Sequence, residues 1–346
     1  MTGLLLIFHI VVFAFSQAPF AIANAENKWA IVAASSIGIS VAICLPVIRY
    51  RWYETFVRAH QCLAIVSVYG IWVHIAPQRL LLRLHVYVLV GIAGLSVVLL
   101  GLLVIYRNGI FRSRLPRADL MHAKGAVLVR VVLSRPVRVK AGQYICLWLF
   151  IPSTSFHALI EYHPFVVASW SDAPLDTLDL LIEPRTGFTR HLLHRSQTRQ
   201  DLCRALFSGP HGNSIPVGDY EVVLMVASGY GIAAQLPYLK ELLHGYNSRK
   251  ARSRRIHLVW ELKTIDLAIA IESLLNNALV DDTLDNGYVS KFALLSRFSA
   301  YWSEDSADIC GLPDWCSIMR EEVEGKYIKR VQEEASTRGD MIVTGK

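Results

Sequence analysis

Glu221-Val-Val-Leu-Met-Val-Ala-Ser-Gly-Tyr-Gly-Ile-Ala233 is the stretch whose reading decides the fold of the second half of the chain. The apolar run to Ala227 has the length and β-branched content of a buried strand, and glycine bounds it. Beyond Gly231, apolar residues recur at helical spacing through Leu243, so Ile232 opens a helix. Strand, glycine turn and helix in that order point the free N–H groups of the first helical turn at one place. With no side chain on Gly229 or Gly231, and Tyr230 between them, a diphosphate can approach the backbone closely. A Gly-x-Gly is also common in ordinary turns; its place directly after a strand gives this one weight.

Working outward, Arg255-Ile-His-Leu-Val-Trp-Glu-Leu-Lys263 reads as the second parallel strand. The carboxyl end of that strand is where a doubly wound sheet discriminates the ribose substituent, which makes Lys263 a candidate for a 2′-phosphate. Arg254 and Arg255 are its rivals, and a merely solvated lysine is the plain alternative. Residues 218–346 are therefore expected to form an α/β Rossmann-like domain. Upstream, Gly125 to Leu133 and Gln143 to Phe150 read as strands with Ala141-Gly142-Gln143-Tyr144 at a turn, and residues 119–217 are expected to close into a small antiparallel β-barrel.

The first third is different in kind. The chain has 346 residues, 53% of them hydrophobic, and a mean hydropathy of +0.37, too apolar for one soluble domain. Four stretches, 3–23, 30–48, 56–76 and 84–106, each approach the roughly 20 residues that cross a bilayer as a helix. The expectation is a helical transmembrane bundle of about four spans over residues 1–118. Arg49, Arg51 and Arg58 lie between the second and third stretches, and Arg107, Arg112, Arg114 and Arg117 follow the fourth. That asymmetry puts both loops, and the soluble modules, in the cytoplasm.

The net charge of +7 does not argue for nucleic acid, because the arginines flank apolar stretches or cluster in one loop, Arg249 to Arg255. Six cysteines without a Cys-x-x-Cys pair exclude both a disulfide framework and a zinc site as organising features. In the third stretch His60 and His74 stand 14 residues apart. At helical geometry they lie within about 40° of one face and roughly 21 Å apart, which suits axial ligands of haems stacked across a bilayer. The alternative is two interfacial histidines at the helix ends. His9 is the only other histidine in the stretches before His60, and His85 opens the fourth as a structural residue.

Several segments then carry a resemblance. Tyr53-Glu-Thr-Phe-Val-Arg-Ala-His60, His163-Pro-Phe-Val-Val-Ala-Ser-Trp170, Gly187-Phe-Thr-Arg190, Ser208-Gly-Pro-His-Gly212, the glycine turn, and Cys310-Gly-Leu-Pro313 occur in this order. Together they resemble the ferric reductase and NADPH oxidase family, and in wording its fungal metalloreductase branch. The resemblance implies FAD at His163, Pro164, Phe165, Val166, Ser169, Gly187, Phe188 and Thr189. It implies NADPH at Gly229, Tyr230, Gly231, Ile232, Lys263, Cys310, Gly311 and Pro313. Ser169 and Cys310 take the catalytic places, beside flavin and nicotinamide, although Cys310 taken alone also reads as a buried thiol at a strand end. His9, His60 and His74 would ligate haem b.

The activity so implied is electron transfer from NADPH through FAD to haem, in a multi-pass protein of the plasma membrane. The external acceptor would be a ferric or cupric chelate. Dioxygen, in a superoxide-producing oxidase, is the alternative acceptor. A non-catalytic relative that associates with and modulates a complete reductase is the alternative of another class. This sequence departs from the family pattern in four places. Val166 stands for a threonine and His211 for a tyrosine. His60 lacks a partner histidine, so the chain is expected to lack the family's first histidine upstream and to bind at most one haem, between His9 and His74. No aromatic residue follows Tyr327, and residues 328–346 are expected to be a polar tail that changes nicotinamide gating.

Overall fold

The computed structural model of the chain describes residues 24–51, 53–75, 80–111, 115–150, 162–185, 187–198, 202–253, 255–262, 264–280, 289–296 and 341–345, with positions 7, 11, 12 and 320. It divides into two compact units, residues 1–100 and 101–346.

In the first unit, helices α1 (Ala25–Ile43), α2 (Pro46–Arg51) and α3 (Tyr53–His74) precede α4 (Leu80–Arg107), which runs on past residue 100. The second apolar stretch is not one helix. α1 stops at Ile43 and the chain restarts at Pro46, because proline has no N–H to give and its ring clashes with the preceding turn. α1 and α3 run antiparallel through small residues: a Cβ on Gly70 would stand 3.0 Å from both Ala33 Cβ and the Trp29 carbonyl oxygen. Trp29 and Tyr69 meet edge to face at 4.9 Å beside that contact.

Among the described residues, two helical segments are long and apolar enough to cross a membrane, Thr55–His74 and Leu80–Arg107. Of the four expected spans, the third and fourth are matched by these two helices. α1 carries Glu26 and Lys28 in its first turn, and the stretch 3–23 lies almost wholly outside the described residues. α4 is apolar on every side and has no buried residue, as a lipid-facing helix would be.

The second unit holds two sheets. The first is antiparallel, in the order β4-β3-β6-β1-β2-β5. Its strands are β1 (Arg117–Ala123), β2 (Ala126–Val137), β3 (Tyr144–Phe150), β4 (His163–Val166), β5 (Leu175–Ile182) and β6 (Leu202–His211), with α5 (Phe188–Thr198) between β5 and β6. β1 and β2 form a hairpin whose turn residues Lys124 and Gly125 both have positive φ, 43° and 85°, as a two-residue turn of this twist requires. Alternate residues, Ile145, Leu147 and Leu149 on β3 with Leu178, Leu180 and Ile182 on β5, point into one core that also buries Phe207. Among the described residues the ends meet through the bridge Val167↔Leu180 and two bonds at Asp179, whose carbonyl accepts the Ala168 N–H at 2.8 Å and whose N–H goes to the Ser169 hydroxyl. The expected barrel is seen as a curled antiparallel sheet whose ends meet around Asp179.

The second sheet is parallel, β10-β7-β8-β9, built from β7 (Val222–Ser228), β8 (Arg255–Leu262), β9 (Val289–Ser296) and β10 (Met341–Gly345), with helices α6 (Ile232–Asn247) and α7 (Ile265–Leu279) in the connections. β10 corrects the expectation of a polar tail: Met341 to Gly345 pair with Val222 to Val226 and form an end strand of the sheet.

Candidate functional site

Two turns carry the candidate residues. On the antiparallel side, β4 is fixed by pairing with β3, Leu147 opposite His163 and Tyr144 opposite Val166. The His163 ring lies flat on Phe188, with centroids 4.5 Å apart and planes 15° apart. Phe188 starts α5 directly after Gly187, whose φ of 67° suits a residue without Cβ. The Thr189 hydroxyl accepts the Arg185 N–H at 2.9 Å and Arg185 pairs with Glu183 at 2.7 Å, so the turn is closed by its own side chains. The Ser169 hydroxyl accepts the Asp179 N–H at 3.1 Å and keeps its own hydrogen to donate. Asp179 also holds Arg130 at 2.8 Å, and that hydrogen bond and charge raise the guanidinium pKa above its usual value.

On the parallel side, β7 runs into the turn Gly229–Gly231 and then α6. Gly229 has φ 52°, neither Ser228 nor Gly231 supplies a side-chain cap, and the Ile232 N–H turns back to the Tyr230 carbonyl, so the N–H groups that follow it in the first turn of α6 have no side-chain cap. One bond fixes the turn from behind: the Trp260 indole N–H donates to the Gly229 carbonyl at 2.9 Å. In a trans peptide the C=O and the following N–H point opposite ways, so this bond aims the Tyr230 N–H away from Trp260. Gln235, buried in α6, donates to Val226 O at 3.3 Å and accepts from Thr344 on β10 at 3.1 Å. Burial pushes the Tyr230 phenol pKa up, and the charge of Glu183 adds to it.

The two sides are also joined at Tyr238 of α6. Its hydroxyl accepts the Ile215 N–H at 3.2 Å, and its ring fills the space where Gly142, at φ 81°, has no side chain. Nearby, Ser208 meets His211 at 3.1 Å, and burial pushes the Cys146 thiol up against a lowering hydrogen bond to Ser208.

Residues 114–215 match the FAD-binding domain family, and residues 220–293 match the ferric reductase NAD binding domain. The chain belongs to the ferric reductase family. It is 25% identical over 236 residues to ferric reductase transmembrane component 3 of Saccharomyces cerevisiae, covering 64% of this chain and 30% of that protein. To ferric reduction oxidase 5 of Arabidopsis thaliana it is 28% identical over 124 residues, covering 35% of this chain and 17% of that one. The chain thus spans about a third or less of the length of these ferric reductases. A ferredoxin NADP+ reductase of Neisseria gonorrhoeae with bound FAD and NADP gives a loose likeness, with a TM-score of 0.39 and 17% identity over 66% of this chain and 97% of that one.

The ferric reductase residues of the two turns fit their nucleotides. Around His163 and Phe188 there is an aromatic pair, a glycine and the N-terminus of α5, and around Gly229 there are uncapped amides. Pro164, Phe165 and Val166 lie along β4, and Ile232 opens α6. Lys263, Arg254, Cys310, Gly311, Pro313 and His9 fall outside the described residues. Arg255 is removed from the ribose position. It is buried at the amino end of β8 beside Val222, a full strand of about 23 Å from the carboxyl end.

His60 and His74 both turn toward α1, as their spacing predicts. His60 Nδ1 is 2.8 Å from the Ser40 hydroxyl, and His74 Nδ1 is 3.3 Å from the Glu26 carbonyl. An imidazole anchored through Nδ1 keeps Nε2 for iron, the usual arrangement for an axial ligand. His85 bonds back to Leu81 O in its own helix at 2.7 Å. Sequence reasoning missed Trp260 and Tyr238. The signal for Trp260 was present, since a tryptophan inside a buried strand needs a partner for its N–H.

Proposed function

We propose that this ferric reductase relative takes reducing equivalents from NADPH and passes them across a membrane to a ferric or cupric chelate, with FAD and haem b as its cofactors. The supporting observation is the joining, within one compact unit, of the His163–Phe188 stack and the uncapped glycine turn, in a chain that matches both nucleotide-binding domains. FAD is suited to the task because it accepts a hydride's two electrons and releases them singly.

The protein's own part is positioning and electrostatics. Gly187 and the first turn of α5, with Arg190, would hold the flavin diphosphate. Gly229, Tyr230 and Gly231 would present amides to the NADPH diphosphate, with Ile232 opening α6 behind them, and Lys263 would read the 2′-phosphate. Ser169, already anchored to Asp179, would donate its hydroxyl near the flavin ring. Cys310 would stand beside nicotinamide. His74 with His9 would hold one haem, which supplies a one-electron acceptor among the helices, while Val166 leaves the flavin edge without the hydroxyl of a threonine. Placement in the plasma membrane, with the sheets on the cytoplasmic side, is supported by the sequence positions of Arg49, Arg51, Arg58 and Arg107 beside the apolar stretches.

Purified full-length chain in detergent should carry FAD, reduce a soluble dye with NADPH, and show a low-spin haem Soret band that His74→Ala removes and His60→Ala spares. A folded chain that neither retains nor takes up FAD ends this reading, and two haems per chain end its ligand assignment.

A further inference from the structure

Strand β6 has an unfinished edge. On one side it pairs with β3 along its length. On the other, β1 covers only Leu202, Cys203 and Arg204, and the Pro116 carbonyl accepts the Ala205 N–H at 3.0 Å. There the neighbouring strand ends. The next outward-facing residue is Phe207, whose ring is fully buried and whose N–H and C=O point together to the vacated side.

That gap is filled by one side chain from just beyond the end of α4. The Phe207 N–H donates to Asn108 Oδ1 at 3.0 Å, and Asn108 Nδ2 donates to Phe207 O at 2.7 Å. The second Nδ2 hydrogen goes to Val104 O at 2.8 Å, one of the carbonyls that a helix C-terminus leaves over. Asn108 is fully buried. A carboxamide carries donor and acceptor side by side, as a peptide does, so it can stand in for one residue of strand. Only one orientation of the amide suits an N–H and two carbonyls at once, and the residue type is thereby specified. A leucine of similar size makes none of these bonds, and a carboxylate meets two carbonyl oxygens it cannot donate to.

A second contact grips a different strand. The Arg135 guanidinium, on the irregular stretch of β2 between Val132 and Val137, lies 4.1 Å from the centre of the Tyr106 ring. The helix end from Gly101 onward belongs to the same compact unit as the sheets.

We propose that Asn108 is a one-residue extension of the antiparallel sheet, which makes the final turns of α4 a built part of the flavin module. Phe207 immediately precedes Ser208-Gly209-Pro210-His211, the segment that leads to the nucleotide domain. The helix end and that segment therefore share one strand. This holds whichever acceptor the chain serves, and it sets the start of a folded flavin module inside α4 rather than after it.

Hydrogen exchange of the full-length chain, followed in peptides covering 101–111 and 205–209, tests the joint. Asn108→Leu should speed exchange in both peptides, by about tenfold or more at Phe207, while flavin content is unchanged. Asn108→Asp should lose protection in the same way at about pH 7.5. It should regain it near pH 5, where a protonated carboxyl again offers a donor beside an acceptor. That reversal decides the matter even if the leucine variant fails to fold. Unchanged exchange at 205–209, loss there with 101–111 still protected, or an aspartate variant indifferent to pH would each overturn the proposal.

Discussion

The turn after Gly187 and the turn after Gly229 both lead from a strand into a helix, yet they are held in opposite ways. Around Gly187 the polar groups are occupied by the protein: Thr189 on Arg185, Arg185 on Glu183, Ser169 on Asp179, with His163 stacked on Phe188. Around Gly229 the helix amides are uncapped, and Trp260 restrains a single carbonyl from behind. A site closed by its own side chains suits a cofactor that stays. One that leaves its donors to a visitor suits a nucleotide that binds and departs, since little must be undone when it leaves.

The largest expected effect comes from breaking the closed side. Phe188→Ala removes a buried ring and its stacking partner, a loss of about 3–5 kcal/mol, and should release flavin and lower the melting temperature together. Retained flavin with an unchanged melt would show that the stack does not hold the site. On the open side, Gly229→Val forces a β-branched residue to positive φ and displaces the amides. kcat/KM for NADPH should fall about tenfold to a hundredfold with flavin absorbance unchanged, and equal loss of flavin would point to general misfolding.

A finer test is Trp260→Phe, which keeps a six-membered aromatic ring in the core and removes the pyrrole ring with its N–H. One neutral hydrogen bond is about 1 kcal/mol, so the KM for NADPH should rise roughly fivefold while kcat and flavin content hold. If KM is unmoved while Gly229→Val still acts, the turn binds nucleotide without help from the indole.

The smallest effect concerns Glu241 of α6, whose carboxyl burial pushes up in pKa against the pull of Lys140. Folded Glu241 thus keeps its proton at pH values where the unfolded chain has released it, and stability falls as pH rises from the ordinary glutamate pKa through the folded one. Glu241→Gln should therefore melt slightly higher than the parent above that window and no differently below it. A stabilisation confined to acid pH would reverse the sign and reject the assignment.

The sequence made β7, its glycine turn, α6 and β8 legible because period and punctuation agree over a long window. His163 and Gly187 could be named from wording, but not that their segments meet through a ring stack, since that depends on β4 lying beside β3 and on α5 folding back. β10 escaped because five residues within a polar stretch give no periodic signal, and its place is chosen by the free edge of β7. The break of the second apolar stretch at Pro46 was hidden because average hydropathy does not register one residue's missing hydrogen bond. Asn108 was invisible for a different reason: an asparagine after a helix is ordinary, and its partner lies 99 positions away.

Gly70 gives the helical unit a pivot. Its lack of a side chain lets α1 and α3 touch at Ala33 and Trp29, and it sits four residues from His74 but ten from His60. Along the helix those distances are about 6 Å and 15 Å. A wedge inserted at Gly70 would act as an uneven lever, prising the Glu26 end of the pair apart before the Ser40 end. Successively larger residues there would loosen one histidine in graded steps while the other kept its hold, giving a mechanical handle on two sites that share a helix.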